Sequence, residues 1–325
     1  MNLDALNDSS RLLLQAELRP VQGTRFQPTG FPDLGAAEYG VADGRRMLLL
    51  ESAQSMANRL EAVCWDEATA DLVAPLRGLP YVRSTLPDGS KTVSILEAHR
   101  LNSPYLCDAR GYEEIEAAIG FTKDAPFDRR KLAAALLRFD PNSLLHGVFL
   151  EKIGGVVRLP RALSAFIEAD EVEVAAAGGV KFDRVQPTST GDKTAYGSSN
   201  EGYGNVPYHR DEYTARSIRA YFNLDLALLR GLGLEPAALT LMTALALYKI
   251  RRFLDTGLRL RTACDLDLVS EVQVQRPVGF ELPATTELAA ALPGQIEACA
   301  SRFHEPRVLE LVYDKSKKAA RTKKD

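Results

Sequence analysis

The chain has 325 residues, 46% of them hydrophobic and 26% charged, with a formal net charge of -3. Domains run to roughly 100–200 residues each, so this length predicts one large domain with insertions or two small ones. The composition is that of a globular protein and excludes both wholesale disorder and a uniformly basic polycation.

The charge is unevenly spread. Residues 315–325 hold six lysines and arginines against one acid, net +5, which leaves -8 on residues 1–314. Anion binding would therefore rest on local basic sites set into an acidic body. The tail itself reads as a basic, disordered end. Cys64, Cys107, Cys264 and Cys299 form no C-x-x-C pair, which predicts isolated reduced thiols rather than a zinc or redox site. The first residues carry acids and no apolar run, unlike a signal peptide. The longest uncharged apolar stretch, residues 236–248, falls short of the about 20 residues that cross a bilayer. A soluble, cytoplasmic protein is expected.

Residues 11–20, RLLLQAELRP, predict a first strand buried on both faces. Pro28, Gly30, Pro32, Gly35 and Gly40 make 21–44 a long loop of the kind that carries function. Residues 52–65 predict a helix. Ala53, Met56, Ala57, Leu60, Val63 and Cys64 form its apolar stripe, and Ser52 is its N-cap. Residues 80–86 and 91–98 predict strands around the Pro87-Asp88-Gly89 turn. Helices are expected at 112–119 and 128–139, a strand at 144–153, and a short helix opened by proline at 160–168. Residues 178–213 hold six glycines, two prolines and four tyrosines and follow neither the strand nor the helix period. Residues 218–228 alternate apolar and polar side chains, the clearest strand signal in the chain. A helix at 237–255 closed by Thr256-Gly257, a strand at 265–274, a helix at 286–302 and a strand at 307–313 complete the order. The mixture predicts an α+β fold rather than a doubly wound parallel one.

Familiar catalytic signatures are missing. There is no P-loop and no third glycine after Gly202-Tyr203-Gly204. His99, His146, His209 and His304 have no i, i+4 partner, and there is no G-x-S-x-G elbow. Two segments carry candidate chemistry. On the 52–65 helix, Gln54, Ser55, Asn58 and Arg59 offer donors suited to phosphate and 2′-hydroxyl oxygens, although a solvated helix face is the simpler reading of those four alone. The 178–213 segment offers Lys181, Arg184, Lys193 and Arg210 with tyrosines able to stack on bases, set against Asp183, Asp192, Glu201, Asp211 and Glu212. Arginine exceeds lysine 28 to 12, which suits bidentate phosphate contact but also follows from GC-rich coding.

Four runs together resemble a known family: ELRPVQGTRFQPTGFPDLG at 17–35, ESAQSMANRLE at 51–61, GNVPYHR at 204–210 and AYFNLD at 220–225. They are similar to the backbone subunit of type I CRISPR effector complexes of subtype G, formerly U, within the RAMP superfamily. The resemblance covers roughly residues 11–265. It implies an RRM-like (ferredoxin-like) core sheet with insertions shaped as palm, fingers and thumb. Residues 1–314 would then form one domain, with a finger loop near 21–44 and a thumb or web near 140–215. It also implies a non-catalytic subunit without cofactor or metal that polymerises along the spacer of a CRISPR RNA. The expected partners are that RNA, target DNA through the guide, further copies head to tail, a fused cap and RNA-processing subunit, a large subunit, and a recruited helicase-nuclease. The RNA contacts expected on this basis are Gln22, Arg25, Gln54, Ser55, Asn58, Arg59, His99, Arg100, Lys181, Arg184, Lys193, Tyr208, His209 and Arg210. Two other readings stand beside it. One is metal-assisted RNA cleavage using Asp33, which lies after the first strand as in the type III relatives. The other is a protein scaffold that touches no RNA.

Overall fold

A computed structural model describes residues 2–31, 33–123, 125–181 and 206–314. Arg184, Lys193 and the basic tail lie outside the described residues. Along the chain, β1 (Arg11–Pro20) is followed by the small hairpin β2 (Gly30–Phe31) and β3 (Gly35–Ala36), then β4 (Glu38–Gly40), β5 (Arg46–Glu51) and α1 (Ala53–Ala62). A hairpin of β6 (Trp65–Asp66) and β7 (Asp71–Leu72) leads to β8 (Tyr81–Thr85) and β9 (Lys91–Val93). Next come α2 (Pro104–Cys107), β10 (Ala109–Arg110), α3 (Glu113–Ile119), α4 (Arg129–Phe139) and α5 (Asn142–His146). The strands β11 (Val148–Leu150), β12 (Val157–Leu159), β13 (Leu163–Asp170), β14 (Glu173–Lys181), β15 (Val206–Thr214) and β16 (Ser217–Asp225) follow. The last elements are α6 (Leu226–Gly231), α7 (Pro236–Thr256), β17 (Arg259–Arg261), β18 (Cys264–Leu268), β19 (Gln273–Arg276), α8 (Thr285–Ala298) and β20 (Val308–Tyr313).

Period-two alternation builds the central sheet. Leu12, Leu14, Ala16 and Leu18 of β1 are buried, as are Leu163, Ala165, Ile167 and Ala169 of β13 and Ile218, Ala220, Phe222 and Leu224 of β16. These strands lie in the order β17-β18-β1-β16-β13-β5-β4, with β19 also on β1, and their pairings are antiparallel. The buried rows are covered by α1 and α7, which also touch each other. The opposite face stays open, so β1 is buried on one face and not on the two expected. On that open face the rings of Phe166 and Tyr221 stack with centroids 5.0 Å apart. A smaller sheet, β10-β20-β8-β9, brings the last strand parallel to β8. The fold is therefore α+β.

The elements depart from the sequence expectations in several places; the strand expected at 218–228 ends at Asp225, where α6 begins, and the one expected at 91–98 ends at Val93. Residues 160–168 are not a helix: 163–170 are strand β13. Ala, Leu and Glu favour a helix there, but burial at every second residue and a neighbour on each side impose a strand. Residues 144–153 divide into α5 and β11 at Gly147. Gly147 has φ +75, and a Cβ there would stand 2.7 Å from the Leu159 carbonyl oxygen, so only glycine fits the bend. The expected strand 265–274 is two, β18 and β19, in different registers on β1. Residues 173–181 and 206–214 form an antiparallel hairpin, β14 with β15, where no period was legible. At its centre a Cβ on Gly178 would lie 2.5 Å from the Tyr208 carbonyl oxygen. Small residues permit the close approach and at the same time erase the alternation. The four cysteines are buried thiols that form no disulfide. Among the described residues no helix is long and apolar enough to cross a membrane.

Candidate nucleic-acid interface

The geometry of α1 separates its polar residues into two groups. The helix starts where the Ser55 amide donates to Ser52 Oγ at 3.3 Å, and it buries Met56, Ala57 and Leu60. Gln54 and Asn58 are exposed. Ser55 and Arg59, a step further round, turn to Glu51, which is only 2% exposed. The Ser55 hydroxyl, Arg59 Nη2 at 3.0 Å and Arg261 Nη2 all donate to that carboxylate. Arg59 Nη2 also donates to the Leu260 carbonyl at 2.6 Å, and Arg261 to the carbonyls of Leu50 and Gln27. Two guanidinium groups on one buried carboxylate thus brace α1 against β5 and β17.

The exposed side of α1 forms one wall of a cleft of about 910 Å³. Gln54 and Asn58 line it, and His99, Arg100 and Asn102 follow from the turn after β9. Arg129 enters from the first residue of α4, and His146, Gly147 and Phe149 from the end of α5 and from β11. Arg158 and Arg161 come from β12 and the segment after it, and Glu151 is the one acid among the lining residues. Among the described residues Arg129, Arg158 and Arg161 have no carboxylate partner. Four of the residues expected from the sequence, Gln54, Asn58, His99 and Arg100, therefore meet in one basic cleft. Arg129, Phe149, Arg158 and Arg161 were missed.

A buried polar network supports the cleft floor. Arg100 donates twice to Glu61, and Asn142 Nδ2 donates to the same carboxylate at 2.5 Å. The Lys249 amine, fully buried, donates to Asn142 Oδ1 and lies 2.9 Å from His146 Nε2. Burial raises the pKa of Glu61 against the pull of Arg100 and Lys249, and it raises Asp140 in the same way. Burial lowers Lys249, and it holds His146 well below its ordinary value, with help from the charges of Lys249, Arg100 and Arg161. A neutral His146 that accepts at Nε2 from Lys249 carries its proton on Nδ1. His146 Nδ1 and Arg161 Nε are buried without a partner among the described residues. Burial, and then the Arg100 charge, lower the Arg161 guanidinium.

Of the remaining predicted residues, Arg25 and Arg210 meet at Glu212 on β15, while Lys181, Tyr208 and His209 lie towards the far end of the β14–β15 hairpin. Phe26 and Tyr213 exchange backbone hydrogen bonds of 2.9 Å, which pins the 21–44 loop to β15. The Tyr213 hydroxyl donates to Glu38, and burial followed by that bond pushes the phenol up to about 12. Arg25 lies 3.7 Å from Glu212, to which Arg210 Nε donates at 3.0 Å. A second cleft of about 990 Å³ lies between loop and hairpin, lined by Gln27, Thr29, Glu38, Arg210, Tyr213 and Arg261 among others. Its guanidinium groups are already matched by carboxylates. Gln22, Tyr208 and His209 are exposed, His209 3.8 Å from Asp211, and Lys181 ends β14. Asp33 is exposed in the turn between β2 and β3. Among the described residues no three His, Cys, Asp or Glu side chains converge as a metal site.

No curated protein matches the chain. Among solved structures it is similar to a chain of a CRISPR RNA-guided surveillance complex, pre-nicking, at 14% identity and TM-score 0.38, over 90% of this chain and 89% of that one. A second CRISPR RNA-guided surveillance complex gives 14% identity and TM-score 0.38, over 90% and 84%. Csc2 of Thermofilum pendens gives 14% identity and TM-score 0.32, over 92% and 78%. The sequence model of the family described as CRISPR-associated protein GSU0053 matches residues 12–174, just over half of the chain. The chain belongs to that CRISPR-associated family.

Proposed function

We propose that this protein is a guide-RNA-binding backbone subunit of a type I CRISPR effector complex. In this reading copies assemble head to tail along the spacer of a CRISPR RNA and present it to target DNA. The observation that carries the reading is the cleft beside α1, where Arg129, Arg158 and Arg161 have no carboxylate partner among the described residues. On a body of net negative charge, guanidinium groups kept free in one groove suit a polyanion. Contacts to phosphate and sugar leave the grip blind to sequence, as a spacer requires. Membership of a CRISPR-associated family supports the setting.

We read the core as RRM-like. The run β18-β1-β16-β13, with α1 between β1 and β13 in sequence and α7 between β16 and β18, supports that reading. Residues 1–314 are then one domain, with a finger at 21–44 and a thumb or web at about 140–215 that includes the β14–β15 hairpin. The role is structural rather than enzymatic. The further partners are the fused cap and RNA-processing subunit, the large subunit and the helicase-nuclease. Head-to-tail contact is heterologous and gives an open filament unless something caps it.

Fluorescence anisotropy with single-stranded RNAs of unrelated sequence tests the reading. Similar affinities are expected, falling with salt by about 0.7 in log-log slope per phosphate contacted. Strictly sequence-specific or salt-insensitive binding would overturn it.

A further inference from the structure

We propose that the β11–β12 hairpin takes one nucleotide of the bound RNA in two parts, its base on Phe149 beside Arg158 and its phosphate on Arg129 and Arg161. This rests on the RNA-binding reading and adds residues that the family resemblance did not supply. Val148 and Leu150 are buried, so the alternation of β11 drives Phe149 outward, where it is 45% exposed. Phe149 and Arg158 are direct cross-strand partners and therefore share a face. The Arg158 guanidinium lies 5.9 Å from the Phe149 ring centroid. An exposed aromatic ring flanked by a guanidinium plane, both lining a cleft, is a stacking surface for any base.

The neighbouring groups ask for an acceptor. Arg161 Nε and His146 Nδ1 are buried without partners among the described residues, and His146 is only 1% exposed. Arg161 Nε is a donor in any case, and with Lys249 donating to His146 Nε2 the ring proton sits on Nδ1 and makes that atom a donor too. A buried donor left unmade is costly, and a phosphodiester, which only accepts, can satisfy donors on both sides. An acidic protein segment would use the arginines but gain nothing from the ring.

The test uses the full chain and two labelled probes: a single-stranded RNA, and a matched oligomer of abasic ribose phosphates. Phe149→Ala is expected to weaken binding of the RNA roughly 5- to 150-fold and to leave the abasic oligomer unchanged. Phe149→Trp should retain affinity for both, which also controls for folding. The double variant Arg129→Ala/Arg161→Ala should weaken both probes and lower the salt slope by about 0.7 per copy, the share of the one phosphate lost. If wild type binds RNA but Phe149→Ala binds it equally well, or loses both probes alike, the inference is overturned and the RNA-binding reading stands. If wild type binds neither probe, both fall.

Discussion

Arg100 grips Glu61 through two parallel hydrogen bonds, Nε to Oε1 at 2.5 Å and Nη2 to Oε2 at 2.7 Å, with only 6% and 1% of the two residues exposed. The pair lies under the cleft and joins α1 to the turn after β9. Arg100→Ala removes the cation and leaves the carboxylate buried. A loss of about 3–5 kcal/mol is expected. Arg100→Lys should also destabilise, since an ammonium cannot make the fork. Chemical denaturation checks both, and an unchanged midpoint for Arg100→Ala would refute the structural role.

Neighbouring residues of α1 should behave oppositely. Asn58 is exposed in the cleft, so Asn58→Ala should keep stability within about 0.5 kcal/mol of wild type and weaken RNA binding. Arg59 is spent on Glu51 and the Leu260 carbonyl. Arg59→Ala should cost about 1–3 kcal/mol while the protein that remains folded binds RNA normally. Melting curves and anisotropy on the two variants separate the effects, and the reverse pattern would reassign both residues.

Asp33 is exposed, and no cluster of metal-ligating groups surrounds it among the described residues. Guide-loaded complex given complementary RNA and magnesium should leave that RNA intact, for wild type and for Asp33→Ala alike. Gel analysis of labelled RNA is decisive here. Cleavage by wild type that disappears in the variant would make the protein an enzyme.

His146 gives stability a pH dependence. Its folded pKa lies well below the ordinary histidine value, because it is buried beside Lys249, Arg100 and Arg161. The unfolded chain therefore takes up a proton that the folded one refuses. Stability should fall as pH drops below about 6.5, by at most about 1.4 kcal/mol per pH unit. His146→Gln should remove that component. The test is the stability difference between variant and wild type at pH 7.5 and 5.5. The gap should shift in favour of the variant on acidification, and no shift would show that His146 is not held neutral.

Side chains that follow their own element's period were legible from the sequence. The alternation of 218–224 and the stripe of α1 led directly to β16 and to the exposed pair Gln54 and Asn58. What the sequence hid were features decided by distant partners. Residues 163–170 carry helix-forming Ala and Leu, and two flanking strands override that preference. The same misreading concealed Arg161, which sits just before β13. Arg158 and Phe149 do stand as odd positions between buried residues in β12 and β11. That signal becomes visible only once Gly147 is seen to end α5. Arg59 looked like Asn58 in sequence, and what distinguishes them is Glu51, which lies outside the helix.

The partners of β1 come late in the chain. Leu12 pairs with Leu224, Leu14 with Val274 and Leu18 with Leu268. At about 5–20 residues per second of synthesis, the first strand waits roughly 10–40 s for its first neighbour. Through that interval its leucines have no sheet to enter, and loop closure over such a span makes folding slow. A chain broken off before β16 would present a bare, sticky strand. The central sheet therefore starts to close around β1 only once β16 has been made, and it is completed by β18 and β19 still later in the chain.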